Sequence, residues 1–87
     1  MKSFTTGRFR ALYARLPDEV RQAARESYRL WRQDPAHPGL RFKLVHSSRP
    51  IWSVRIGRGW RALGLRDGDG ITWFWIGSHA DYDRMLS

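Results

Sequence analysis

The spacing of apolar positions along the chain changes once. In "GRFRALYARL", Phe9, Leu12, Tyr13 and Leu16 recur at helical spacing with arginines between them, which predicts an amphipathic helix. "LPDEVRQAARESYRLWRQDP" continues with Val20, Ala23, Ala24, Tyr28 and Trp31 on one face. Pro17 suits a first helical turn, Asp18 and Glu19 lie near the positive end of the helix dipole, and Pro35 stops the run. Two helices in a hairpin are expected.

Beyond "PAHPG" the period falls to two. In "LRFKLVH", Leu40, Phe42 and Leu44 point one way and Arg41 and Lys43 the other. In "WSVRIG", Trp52, Val54 and Ile56 point inward while Ser53 and Arg55 point outward. Gly57 and Gly59 surround a tight turn into "WRALGL", and "DGDG" at 67–70 is a hairpin turn, since glycine supplies positive φ at little cost. "ITWFWI" is apolar on both faces, which marks a central strand covered on both sides. "ADYDRML" ends the pattern as a short helix or ordered tail. Residues 1–87 are expected to form one α+β domain: an N-terminal two-helix hairpin packed on a four-stranded, mainly antiparallel sheet, with a short C-terminal helix or tail.

Charge changes the picture next. The net charge is +8, and fourteen of the sixteen basic residues are arginine. Acidic partners are expected, with nucleic acid foremost, then an acidic protein. Arginine's planar donor fork suits phosphate and carboxylate better than lysine's point charge does. With no cysteine, disulfides, zinc–thiolate sites and thiol catalysis are excluded. The start, "MKSFTTGRFR", lacks the apolar segment of a signal peptide, and "ITWFWIG" is far shorter than the roughly 20 residues that span a bilayer. A cytoplasmic protein with no membrane partner is expected.

Between Asp34 and Asp67 there is no acidic residue, yet the interval holds Arg41, Lys43, Arg49, Arg55, Arg58, Arg61 and Arg66. Alternation puts Arg41, Lys43 and Arg55 on the polar face, a cradle for phosphates or, equally, a solvated face or a dock for an acidic peptide. Arg61 shares a face with Leu63 and Leu65, so it is expected to be partly buried, holding either a ligand or a carboxylate such as Asp69 or Asp81. In "IGSHADY", a helical turn beginning at Ser78 or His79 puts Tyr82 on the same face as His79. Histidine shuttles protons near neutral pH, tyrosine donates, and arginine stabilises charge growing on phosphorus. That set suits metal-free cleavage of RNA by its own 2′-OH; the plainer alternative is a capping histidine with a tyrosine packed on the sheet. His37, His46 and His79 lack metal-ligand spacing and acidic neighbours on the same element, so no metal or cofactor is expected.

Taken together, the two helices, "PAHPGLRFK", "WSVRIGRGWRALG" and "IGSHADY" resemble the RelE/ParE superfamily of type II toxins over roughly residues 8–86. The most specific part is "SVRIGRGWRALG", similar to the family's strand–turn–strand with arginine in both arms. The resemblance implies a toxin that cleaves mRNA, in many members in the ribosomal A site, and is held inactive by an acidic antitoxin, meeting operator DNA only through that antitoxin. By position, Arg61 matches the arginine that contacts the scissile phosphate, His79 the acid/base position and Tyr82 the tyrosine after it. Lys43 falls where members carry catalytic or phosphate-binding lysines; Arg55 lies in the preceding arm, with Arg41 and Arg58 beside it as further phosphate contacts. Family members often begin with a β-strand, for which "MKSFTTG" is barely long enough. Two other functions fit the same sequence: a ParE-like toxin that poisons DNA gyrase without nuclease activity, and a non-toxic basic binding module.

Overall fold

The computed structural model describes residues 1–86. In chain order it contains β1 (Lys2–Thr5), α1 (Gly7–Ala14), α2 (Asp18–Gln33), a 3₁₀ turn (Pro38–Leu40), β2 (Lys43–Leu44), β3 (Ile51–Ile56), β4 (Trp60–Asp67), β5 (Gly70–Ser78) and α3 (His79–Leu86). The fold is α+β, with one strand more than the pattern of apolar positions suggests. β1 pairs in parallel with β5 along Lys2–Gly70 to Thr5–Trp73, and the sheet runs β1-β5-β4-β3-β2 with its other neighbours antiparallel. Short as it is, β1 finds a partner because β5, nine residues long, has an edge left open by β4.

Helix α1 starts at Thr6, whose hydroxyl accepts the Phe9 N–H at 3.0 Å. Arg21 ties the helix junction together by donating to the carbonyls of Ala14 and Leu16 and pairing with Asp18. The apolar stripe of α2 then buries Val20, Ala24 and Trp31 against Val54 and Ile56 of β3, Ala62 of β4, and Ile71, Trp73 and Ile76 of β5. A smaller cluster lies on the opposite face: Leu63, Trp75 and Tyr82, with Val45, Ile51 and Phe74 against it. The sheet is therefore covered on both faces, by α1 and α2 on one side and α3 on the other.

Two departures from strict alternation matter. A bulge opposite Leu63 and Gly64 leaves Phe74 unpaired, so Trp73 pairs with Gly64 while Trp75 pairs with Leu63. Two residues apart, these tryptophans serve opposite faces. Gly64 allows the crossing, since a Cβ there would stand 2.7 Å from Ile71 and 2.8 Å from Trp73. Finally, the strand expected from Leu40 shrinks to Lys43–Leu44. His37 Nδ1 accepts the Gly39 N–H at 3.0 Å and folds Pro38–Leu40 into a 3₁₀ turn, and Arg41 leaves it in the left-handed region at φ 47°.

Candidate phosphate-binding site

Cross-strand register places the basic residues. On the face shared with α3, Lys43 pairs with Ser53 and Ser53 with Leu63, while Arg55 pairs directly with Arg61. Like charges opposite each other across two strands are destabilising. Among the described residues the ion pairs are Arg21–Asp18, His79–Asp83 and Arg84–Asp81, all within helices or their first turns. Among the described residues, none of the seven basic residues from Arg41 to Arg66 has a carboxylate partner.

Arg61 is the centre of this face. It is 9% exposed, and its Nε and Nη1 are buried without a hydrogen-bond acceptor. Neither Asp69 nor Asp81 answers it; Asp81 pairs with Arg84 instead. The guanidinium lies 5.5 Å from the centre of the Tyr82 ring, a cation–π contact that holds it without neutralising it. Ser53, expected to point into solvent, is fully buried at 0% exposure, and its hydroxyl also lacks a partner. The cluster of Leu63, Trp75 and Tyr82 lies on the same face, with Leu63 the register partner of Ser53.

α3 is fixed to this region at its first residue. Ser78 Oγ accepts the Asp81 N–H at 3.1 Å, and the His79 N–H donates to the Gly59 carbonyl at 2.7 Å. The turn that carries Arg58 and the helix that carries His79 are thereby joined. The next turn of the helix puts the His79 and Tyr82 rings 5.8 Å apart. Ser78, not His79, caps the helix, and Tyr82 packs on the sheet at 8% exposure. His79 stays accessible, its side chain 45% exposed, with Nδ1 3.0 Å from Asp83 Oδ2. An acidic neighbour on the same element is thus present, against expectation; the i,i+4 spacing of His79 and Asp83 was the available signal. Asp83 engages one of the two ring nitrogens.

The remaining candidates spread outward. Lys43 is exposed on the short edge strand β2, and Arg58 is exposed in the turn that Gly57 makes at φ 54°. Arg55 is half-buried, its Nε donating to the Gly57 carbonyl at 2.9 Å. Arg41 lies outside the strand, in the left-handed loop residue, so alternation does not place it on the polar face. His37 and His46 use Nδ1 to cap turns, accepting from Gly39 N–H and from the N–H groups of Ser48 and Arg49. Among the described residues no three His, Cys, Asp or Glu side chains gather where they could hold a metal, and no helix is long and apolar enough to cross a membrane.

Two helices on one face of a five-stranded sheet, and α3 on the other beside Lys43, Arg55 and Arg61, frame the site. The family model of the ParE-like toxin domain matches residues 18–84, and the chain belongs to that family. The fold is similar to that of RelE in the RelB–RelE antitoxin–toxin complex from Methanococcus jannaschii, at 13% identity over 97% of this chain and 99% of that one, with a TM-score of 0.70. It is similar to YafQ from E. coli, at 12% identity, 93% and 96% coverage and a TM-score of 0.68. A conserved hypothetical protein from Helicobacter pylori aligns at 17% identity, 92% and 96% coverage and a TM-score of 0.66. No curated protein matches the chain in sequence.

Proposed function

We propose that this toxin is an endoribonuclease that cleaves mRNA on the ribosome without a metal and thereby inhibits translation. The observation that carries the proposal is Arg61: a buried guanidinium with two unanswered donor nitrogens, facing Arg55 and touching Tyr82. A buried cation without a counter-charge is costly, and an RNA phosphate supplies the missing acceptor. The reaction is attack of the ribose 2′-oxygen on the adjacent phosphorus with loss of the 5′-oxygen, giving a cyclic phosphate and a free 5′-hydroxyl. Arg61 stabilises the charge that grows on the phosphoryl oxygens. His79 and Tyr82 carry the protons, with Asp83 holding the imidazole in place. Lys43, Arg55, Arg58 and Arg41 bind flanking phosphates, whose neutralisation gives salt-dependent affinity. An acidic antitoxin is the regulatory partner, as RelB accompanies RelE in the Methanococcus jannaschii complex; operator DNA is reached only through it.

The test is to map mRNA 5′ ends in a reconstituted translation reaction, with and without ribosomes, beside His79→Ala and Arg61→Ala. Cuts at the A-site codon that vanish in both variants are expected. Intact mRNA with the native chain, or cuts that both variants retain, defeats the proposal. A DNA-damage response with intact mRNA replaces it with gyrase poisoning, and harmless expression replaces it with a binding module.

A further inference from the structure

At the end away from the Gly57 turn, the ladder of β3 and β4 finishes in an open pocket of about 310 Å³, at the small end of the range for ligand sites. Arg49, Pro50, Leu65, Arg66 and Asp67 line it. Backbone hydrogen bonds set these walls in place. His46 Nδ1 accepts the Arg49 N–H at 3.1 Å, the Ile51 N–H donates to the Arg49 carbonyl at 2.8 Å, and the Arg66 N–H donates to the Pro50 carbonyl at 2.9 Å. The Arg66 guanidinium is steadied in turn by Trp52, 4.9 Å from the centre of its ring.

Two observations bear on what fits there. Leu65 is 42% exposed and Pro50 is exposed beside it, so apolar surface is left to water next to a planar guanidinium. An unstacked nucleobase lies against surfaces of that kind. The second observation is Asp67, the first carboxylate in the sequence after Asp34. It is exposed, and among the described residues neither it nor Arg49 nor Arg66 forms an ion pair. An ionised carboxylate only accepts hydrogen bonds and repels phosphate, so its ligand must present donors. Of the RNA bases, guanine alone offers two adjacent donors, the ring N1–H and the amino group, to the two oxygens of one carboxylate.

We propose that this pocket is a guanine subsite of the RNA-binding surface. The base lies on Leu65 and the Arg66 guanidinium, Asp67 accepts from N1–H and the amino group, and Arg49 meets a neighbouring phosphate. The assignment rests on the RNA-binding function proposed above and adds a sequence preference to it. At about 3.3 Å per residue of strand, Arg66 stands about 16 Å along β4 from Arg61. The guanine therefore belongs to a nucleotide flanking the cut, and Asp67 governs choice of sequence where Arg61 governs rate.

Uncleavable 2′-O-methyl hexamers, all uracil or with one guanine moved through each position, test this when titrated against the full chain by fluorescence anisotropy. Guanine at one position is expected to tighten binding about fivefold or more, within what a single bidentate base contact discriminates. Adenine or cytosine at that position gives no such gain. Asp67→Asn is expected to abolish the preference, and it folds, since an amide before Gly68 suits the turn as well as a carboxylate does. Arg61→Ala is expected to weaken every hexamer alike and to keep the preference. A preference that Asp67→Asn retains, that adenine shares or that Arg61→Ala abolishes overturns the proposal, as does no preference at any position. Guanosine 5′-monophosphate alone, followed by amide NMR, separates these failures from failure of the RNA assignment. Shifts at Arg49, Arg66 and Asp67 larger than those from adenosine 5′-monophosphate, in a chain that binds no hexamer, keep the pocket and remove the ribonuclease. Absence of guanine-selective shifts overturns the pocket.

Discussion

On the helix-covered face of the sheet the aromatic rings answer one another. Trp31 meets Phe42 and Trp73 edge-on at 5.9 and 5.4 Å, Phe42 lies 4.7 Å from Trp52, and Arg66 stacks on Trp52 at 4.9 Å. On the face under α3, Arg55 opposes Arg61, two guanidinium nitrogens lack acceptors, and the Ser53 hydroxyl is sealed in without a partner. A single five-stranded sheet separates a face built for stability from one that gives stability up. Local rules broken together in one place mark function, because native sequences are otherwise consistent from level to level.

Substitutions can break that contrast. Trp31→Ala on the stable face should cost about 3–5 kcal/mol and unfold much of the population at 37 °C, read as loss of the cooperative thermal transition. Arg61→Met keeps most of the side-chain volume but removes the unpaired charge. It should lower single-turnover RNA cleavage by about 10²–10³ while the melting temperature holds or rises; a fall of several degrees in melting temperature would instead make Arg61 a structural residue. Ser53→Ala should stabilise the chain by about 1 kcal/mol, since deleting a buried hydroxyl without a partner removes its desolvation cost; a denaturation midpoint that drops shows that the hydroxyl was satisfied after all. The smallest effect is expected for Asp83→Asn, about a tenfold loss of cleavage with unchanged RNA affinity, because the exposed His79–Asp83 pair orients a ring without binding substrate.

How much of this could be read from the residues alone differs by region. The helical stripes of α1 and α2 and the two-residue turn at Gly68–Asp69 follow from period and glycine, which act locally. The bulge at Phe74 does not, because simple alternation puts Trp73 and Trp75 together, and only the fit of Gly64 against Ile71 and Trp73 separates them. Periodicity does not mark β1 for a related reason, and only the family resemblance points to a short first strand: four residues carry little pattern, and their partner lies at the other end of the chain. At the candidate site, spacing suffices for His79 with Tyr82 and for the burial of Arg61. It fails for Ser53, whose environment depends on α3 folding back, and for Arg41, which the His37 cap turns out of the strand.

The parallel pairing of β1 with β5 also governs when the molecule comes into being. Ser3 accepts a hydrogen bond from Trp73 Nε1, seventy positions later, and β5 is at once the partner of β1, the partner of β4 and the strand that leads directly into α3. Until that segment leaves the translating ribosome, the first strand has no neighbour, Arg61 has no Tyr82 above it, and contacts of such long sequence separation form late. One strand thus holds three assemblies at once: an edge strand, a cross-sheet hydrogen bond and the helix that brings Tyr82 to Arg61 all wait on β5.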